Sequence, residues 1–166
     1  MCRTDNIKAV IDLIDLKTYT GLRDYAIILL MLDCGIKPCE AFKVEVNDID
    51  FKNETLTIRK ETAKTRTERV LPLSMTMLDL LQRVAKVKPA DWKNNLIFCS
   101  CDGLQMHAIM FDERLAYYSR KANVKIRPYD LKHSFAIMYL RNSGNAFTLQ
   151  MRGKSGRVFE KYFCFP

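Results

Sequence analysis

A short stretch in the last quarter of the chain gathers side chains that could act on a negatively charged group. Residues 127–136 read Arg-Pro-Tyr-Asp-Leu-Lys-His-Ser-Phe-Ala, and Tyr162 follows His133 by 29 positions. Lysine carries a positive charge at neutral pH, histidine can give or take a proton there, and a tyrosine hydroxyl can serve as a nucleophile. The same residue types also occur on solvated helix starts and in packed aromatic tails, so the rest of the chain has to support the chemistry.

The composition indicates a folded protein with an excess of positive charge. The 166 residues carry 27 basic and 19 acidic side chains, which gives a formal net charge of +8. This excess favours a polyanionic partner, of which nucleic acid is the commonest, although a basic protein without such a partner is the plain alternative. With 48% hydrophobic residues the chain can bury a core, and its length fits one domain spanning residues 1–166.

The cysteines and the apolar runs argue against a zinc protein, a disulfide-linked secreted protein and a membrane-spanning protein. The six cysteines form no CxxC pair and lie at no zinc-ligand spacing from His107 or His133. They are expected to be reduced, mostly buried thiols, including Cys34 and Cys39, in a cytoplasmic protein without a metal or another cofactor. The first residues lack the apolar segment of a signal peptide, and the longest apolar run, 25–32, is too short to span a membrane.

Helical periodicity marks the first forty residues. Asp5 or Asn6 is predicted to cap a first helix, and Thr20 to cap a second one. The second helix is expected over 22–34 and should be the buried centre of the domain, because it is apolar nearly all round. Gly35 should end this helix, and Pro38 should begin a short helix that reaches about residue 43.

The pattern then changes to the period of two that is typical of strands. One strand is predicted from Val44 and Val46 through residues 49–51, a second over 55–58 and a third over 69–73, with Pro72 at its edge or end. Further helices are expected between residue 75 and Pro89 and over 107–121, 129–142, 146–150 and 158–162. In the helix over 107–121, the side chains predicted to face inward are Ile109, Met110, Leu115 and Tyr118. The sequence therefore predicts a mainly α domain with a small antiparallel three-stranded sheet.

The stretch over 127–136 resembles the second signature box of the tyrosine recombinases, the phage-integrase family of DNA strand-exchange enzymes. That box reads His-x-Leu-Arg-His-Thr/Ser-Phe-Ala and is followed by a nucleophilic tyrosine, whose position matches Tyr162. In this chain Tyr129 stands where the family has its first histidine, and Lys132 stands where it has an arginine. His133 matches the second histidine.

Five more segments resemble family motifs in the same order along the chain. Residues 22–26 are similar to the opening of the catalytic domain, and residues 33–40 resemble the first signature box, with Lys37 in place of its arginine. The "Asp-Ile-Asp" that leads into the sheet is matched by residues 48–50. The lysine hairpin and the segment before the nucleophile are matched by the segments that contain Lys64 and Lys154, with Lys60 as a weaker candidate for the hairpin lysine.

The resemblance implies the fold of the DNA breaking–rejoining enzymes and their chemistry on double-stranded DNA. The tyrosine hydroxyl attacks a phosphodiester, two arginines hold its oxygens, a lysine protonates the leaving oxygen and histidines assist. The catalytic residues that the resemblance implies in this chain are Lys37, Lys64, Lys132, His133, Lys154 and Tyr162. The residues that it implies in contact with the DNA phosphate are Lys37, Lys132, Lys154 and Tyr129.

The two lysines predict an impaired enzyme. Each keeps the positive charge of an arginine but offers a point contact instead of a bidentate fork, and loss of one such donor costs about 3 kcal/mol, or roughly 10²–10³ in rate. The leading hypothesis is that the chain is a recombinase catalytic domain that binds double-stranded DNA and cleaves it weakly. Copies of the chain can form homo-oligomers on the DNA. The resemblance further suggests that the N-terminal DNA-clamping domain is absent and that the C-terminal tail is short.

Two other functions stay open at this point. One is a catalytically inactive DNA-binding remnant of an integrase, which would bind DNA in a salt-sensitive way without forming a covalent adduct. The other is a helical interaction domain without a DNA role, which predicts no basic surface. Each residue also has a plainer interpretation: Lys37 as a solvated helix-start lysine, Lys64 in a solvated charged loop, His133 as a core histidine and Tyr162 as packing of an aromatic tail.

Overall fold

The computed structural model describes residues 4–63 and 66–141. Six α-helices and one three-stranded sheet lie in these ranges. In chain order they are α1 (Thr4–Ile11), α2 (Tyr19–Cys34), α3 (Pro38–Ala41), β1 (Ile49–Asp50), β2 (Thr55–Ile58), β3 (Arg69–Pro72), α4 (Met75–Val87), α5 (Ala108–Lys121) and α6 (Pro128–Arg141). The mainly α class with a small sheet is confirmed.

Helix α2 is the centre of the domain, as its apolar composition predicts. All of its residues from Gly21 to Cys34 are buried, and the helix packs against α3, α4 and α6. Because apolar side chains surround it, helices on several sides each bury one face against it. The remaining core comes from one apolar stripe on each of α1, α4, α5 and α6, from the inward face of the sheet and from apolar residues of the connecting segments.

The sheet is antiparallel with strand order β1-β2-β3. Leu56 in β2 pairs with Ile49 on one side and Leu71 on the other, and all three side chains are buried. The opposite face of the sheet is more exposed. Buried and more exposed side chains therefore alternate along the strands, as expected for a sheet with one face on the core. Pro72 ends β3, as predicted.

The first predicted strand is shorter than the sequence suggested. Residues Val46–Asp48 form a 3-10 turn, in which the Glu45 backbone N–H donates to the Asp48 carboxylate at 2.9 Å. Val44 and Val46 bond instead to the segment around residue 96, since the Ile97 N–H donates to the Val44 carbonyl and the Val46 N–H to the Asn95 carbonyl. The alternating apolar residues before Ile49 thus pair outside the sheet.

Two predicted helix caps are wrong. Helix α1 begins at Thr4, which places Asp5 and Asn6 inside its first turn. Helix α2 begins one turn earlier than predicted because the hydroxyl of Thr18, not of Thr20, accepts the Gly21 N–H at 3.1 Å. No helix within the described ranges is both long and apolar enough to cross a bilayer.

A buried ionic cluster joins the two halves of the chain. The Asp24 carboxylate is fully buried and accepts hydrogen bonds from Arg23 at 2.7 Å, from Arg114 at 2.6 Å and from the Tyr118 hydroxyl at 3.0 Å. Partial burial alone would lower the pKa of Arg114, but its bond to this carboxylate raises that pKa. Burial raises the pKa of Tyr118 to about 12, so its hydroxyl stays protonated and can donate.

Helix α5 differs from the prediction at one residue. Leu115 and Tyr118 are buried and Met110 is half-buried, whereas Ile109 is 72% exposed. Ile109 lies two positions, or about 200°, from the buried Phe111 on the helix, so the face that buries Phe111 turns Ile109 outward. The predicted helical pieces over 146–150 and 158–162 lie outside the described residues.

Candidate functional site

Lys37 lies in a tight connection between α2 and α3. Gly35 ends α2 in the left-handed conformation with φ of 65°, and its N–H donates to the Met31 carbonyl. Lys37 is then extended and Pro38 begins α3, where its missing N–H costs nothing. Lys37 thus lies at the start of a helix, as its plainer interpretation has it, but its side chain is half-buried and not fully solvated.

Glu40 and Arg69 hold this connection in place. The buried Glu40 carboxylate accepts the Lys37 backbone N–H at 3.0 Å. The Arg69 guanidinium on β3 donates two hydrogen bonds to the same carboxylate, at 2.6 and 3.2 Å. This bidentate pair fixes the backbone of Lys37 relative to the sheet.

Gly35 also brings the two signature segments together. A Cβ atom at Gly35 would lie 2.3 Å from the Cδ1 and Cε1 atoms of Phe135, which is far inside van der Waals contact. The buried Phe135 ring of α6 therefore rests directly on the backbone that precedes Lys37. Only glycine satisfies both this contact and the positive φ.

Lys37 and Tyr129 line the same open groove. The groove has a volume of about 580 Å³ and runs between α3, α5 and the beginning of α6. Its ten lining residues are Lys37, Pro38, Cys39, Ala108, Asp112, Ala116, Ile126, Arg127, Pro128 and Tyr129. Two cationic side chains and one carboxylate thus face a concave, otherwise mostly apolar surface.

The start of α6 presents the second predicted group. Tyr129 is 72% exposed, and its ring stacks on that of His133 with a centroid distance of 6.3 Å and an interplanar angle of 11°. His133 and Lys132 are exposed on the same helix, and neither lines the groove. His133 is therefore not a core histidine, and it lies next to the groove through its contact with Tyr129.

The remaining predicted site residues, Lys64, Lys154 and Tyr162, lie outside the described residues. Lys60, the weaker candidate for the hairpin lysine, is exposed on the turn after β2. In residues 4–63 and 66–141, no three His, Cys, Asp or Glu side chains are grouped so that they could hold a metal ion.

The four cysteines within the described ranges divide into two kinds. Cys34 and Cys99 are buried, and burial raises the pKa of the Cys34 thiol well above its usual value. Cys39 and Cys101 are exposed, and Cys39 lines the groove beside Lys37. The expectation that Cys39 serves packing is wrong, because it follows Pro38 on the outward side of the short helix α3.

Two groove residues, Arg127 and Asp112, were not predicted from the sequence. Arg127 directly precedes Pro128 in the motif stretch, so its position could have suggested a role. Asp112 shares the groove face of α5 with Ala108 and Ala116 at a spacing of four residues. No motif marks this residue, and only the packing of α5 beside α3 brings it to the site.

Comparison with known proteins agrees with this architecture. The tyrosine recombinase XerC of Pelotomaculum thermopropionicum is 29% identical over 150 residues, which cover 84% of this chain and 48% of the relative. The tyrosine recombinase XerA of Saccharolobus solfataricus is 31% identical over 128 residues, which cover 77% and 40% of the two chains. The chain thus spans about half the length of the curated relatives that it matches.

Solved structures share the fold at low sequence identity. The crystal structure of XerA recombinase superposes with a TM-score of 0.77 at 20% identity, over 99% of this chain and 60% of that one. The lambda integrase catalytic core gives a TM-score of 0.71 at 12% identity, over 90% and 92% of the two chains. The model of the phage integrase family matches residues 2–154. The resemblance found in the sequence is therefore confirmed, and the chain belongs to the phage integrase family.

Proposed function

We propose that this chain is a recombinase catalytic domain that holds a backbone phosphate of double-stranded DNA in the groove and cleaves DNA weakly. The observation that carries this proposal is the meeting of Lys37 and Tyr129 in one concavity. These residues are 92 positions apart, and each stands at a chemical position of a different signature box. The relatives are named as recombinases, and one neighbouring structure is XerH bound to its difH substrate.

The charges of the groove suit a phosphodiester. Lys37 and Arg127 supply two positive charges against the single carboxylate of Asp112. The net charge of +8 would add a long-range attraction that is screened by salt. The Glu40–Arg69 pair fixes the Lys37 backbone, which lowers the entropic cost of placing its ammonium group against a phosphate.

The reaction implied for such a domain needs a nucleophile and transition-state donors. The Tyr162 oxygen would attack the phosphorus and lose its proton to a base such as His133, which forms a 3′-phosphotyrosyl bond and breaks the bond to the 5′ oxygen. Lys64 would protonate this leaving oxygen, so that a 5′ hydroxyl is released. Negative charge grows on the non-bridging oxygens, where Lys37 from the groove and Lys132 from the exposed side of α6, outside the groove lining, would each make point contacts in place of forks. We expect ground-state binding to survive and the chemical step to be slow.

The test measures covalent protein–DNA adduct on a nicked duplex that traps it. Three proteins are compared: the unaltered 166-residue chain, the Lys37→Arg/Lys132→Arg double variant, and the double variant that also carries Tyr162→Phe. We expect slow or no adduct with the unaltered chain, at least about a hundredfold faster adduct formation with the double variant, and none once Tyr162 is removed. Rapid trapping by the unaltered chain would contradict weakened cleavage.

A second candidate function is a DNA-binding domain without catalysis, which the presence of lysine at both arginine positions favours. It predicts salt-sensitive duplex binding and no adduct in any variant, including the one with both arginines restored. Absence of duplex binding at low salt would contradict both functions.

A further inference from the structure

Arg127 is the one arginine among the ten described residues that line the groove. It lies just before Pro128 and Tyr129, at the entrance to α6. Its side chain is 68% exposed, so a ligand in the groove can reach it. Neither signature box assigns a function to this position.

The Asp130 carboxylate holds the guanidinium group of Arg127 at its Nε atom. One carboxylate oxygen of Asp130 accepts the Arg127 backbone N–H at 2.9 Å and the side-chain Nε–H at 3.3 Å. Burial alone would raise the pKa of Asp130, but these two bonds and the Arg127 charge lower it, so the carboxylate is ionised at neutral pH. The anchor therefore persists under physiological conditions.

The anchor leaves the outer edge of the guanidinium available. Within residues 4–63 and 66–141, Nη1 and Nη2 of Arg127 make no hydrogen bond to the protein. These two nitrogens point in nearly parallel directions, and their spacing matches two oxygens of a phosphate group. Lysine cannot reproduce this contact, because its ammonium group is a single point charge.

We propose that Arg127 is a phosphate-binding residue of the groove and supplies a bidentate guanidinium contact that the lysines at positions 37 and 132 cannot make. This inference rests on the proposed DNA function, whose phosphate would lie between Lys37, just before α3, and Arg127, just before α6. Arg127 thus restores part of the phosphate recognition at a different position, while its anchoring by Asp130 keeps the guanidinium oriented before DNA binds.

The experiment measures binding of a fluorescent duplex to the 166-residue chain by anisotropy over a range of salt concentrations. The variants are Arg127→Ala, Arg127→Lys, Lys37→Ala and, as a matched control, Arg83→Ala on the exposed face of α4. We expect Arg127→Ala to weaken binding about tenfold and to reduce the slope of log affinity against log salt by about one. Arg127→Lys should keep the slope and still weaken binding severalfold, and Arg83→Ala should change neither quantity.

The outcomes separate this inference from the function on which it rests. If Lys37→Ala weakens binding and Arg127→Ala does not, the groove binds DNA and the role of Arg127 is wrong. If Arg127→Lys equals the unaltered chain, Arg127 contributes only charge, which contradicts the bidentate contact. If the unaltered chain shows no salt-dependent binding, the proposed function itself fails. Circular dichroism of each variant verifies that the fold is intact, which is expected because Arg127 is a surface residue.

Discussion

At the scale of single residues, the site is defined by which charges face the groove. Lys37 and Arg127 do so, and Tyr129 contributes an exposed ring that stacks on His133. Replacement of two arginines by lysines keeps the charge at both signature positions and removes the forked geometry. In the proposed function, phosphate binding and transition-state stabilisation would therefore separate, because binding depends mainly on charge and catalysis on the placement of donors.

Asp112 gives a residue-scale prediction, since it is the one carboxylate among the ten residues that line the groove. Asp112→Asn removes a charge that repels a phosphate, and we expect duplex binding to become tighter by roughly twofold to fivefold at low salt. Anisotropy titration measures this change, with Asp79→Asn on the exposed face of α4 as the control. Equal tightening in both variants would indicate an effect of net charge alone.

At the scale of elements, the end of α2 and the middle of α6 constrain each other. Gly35 allows the Phe135 ring to approach the backbone, and Glu40 then ties α3 to Arg69 on β3. Two of the three walls of the groove, α3 and the start of α6, therefore depend on one close contact and one ion pair. A change in either should alter the groove without touching a residue that lines it.

Gly35→Ala tests this coupling. The substitution combines a strained positive φ, worth about 1 kcal/mol, with overpacking against Phe135, and we expect a total destabilisation of about 3 kcal/mol. In a Phe135→Leu background the overpacking should largely disappear, so Gly35→Ala should then cost about 1 kcal/mol. Urea unfolding of the four proteins gives both values. The same cost in both backgrounds would mean that the ring does not require the glycine.

At the scale of the whole molecule, the Asp24 cluster joins α2 to α5 across 90 positions of sequence. The carboxylate is fully buried and Arg23 is 2% exposed, so each charge depends on the other for compensation. The cluster thereby fixes the position of α5, whose opposite side forms a wall of the groove. The stability of the domain and the shape of the site are linked through this one carboxylate.

Asp24→Asn should destabilise the whole domain. The substitution leaves the buried Arg23 guanidinium without a carboxylate, which costs about 3 to 5 kcal/mol. Tyr118→Phe removes two hydrogen bonds from the same cluster, one that the hydroxyl donates to Asp24 and one that it accepts from Arg114, and should cost only about 1 to 2 kcal/mol. Thermal and urea unfolding measure both, and a loss for Asp24→Asn no larger than that for Tyr118→Phe would show that the cluster carries little of the stability.

The sequence alone was sufficient for the family, the order of the elements and most of their bounds. These depend on short-range signals: the apolar composition of α2, the glycine that ends it, the proline that begins α3 and the alternation in β2. The error in predicting the cap of α2 also arises from neighbouring residues. Thr18 and Thr20 are both acceptable caps, and the packing of Gly21 against the turn before it, where a Cβ would lie 2.0 Å from the Asp15 carbonyl oxygen, selects the earlier one.

Which side chains meet depends on how the helices and the sheet pack against one another. The sequence predicts that Ile109 faces inward on α5, but the rotation of α5 against its neighbours exposes Ile109 and buries Phe111. The same rotation brings Asp112 to the groove, and the packing of α6 on Gly35 brings Arg127 and Tyr129 there beside Lys37. Local patterns fix the backbone of each element, whereas contacts between distant residues depend on how whole faces pack, and no short window of sequence contains that information.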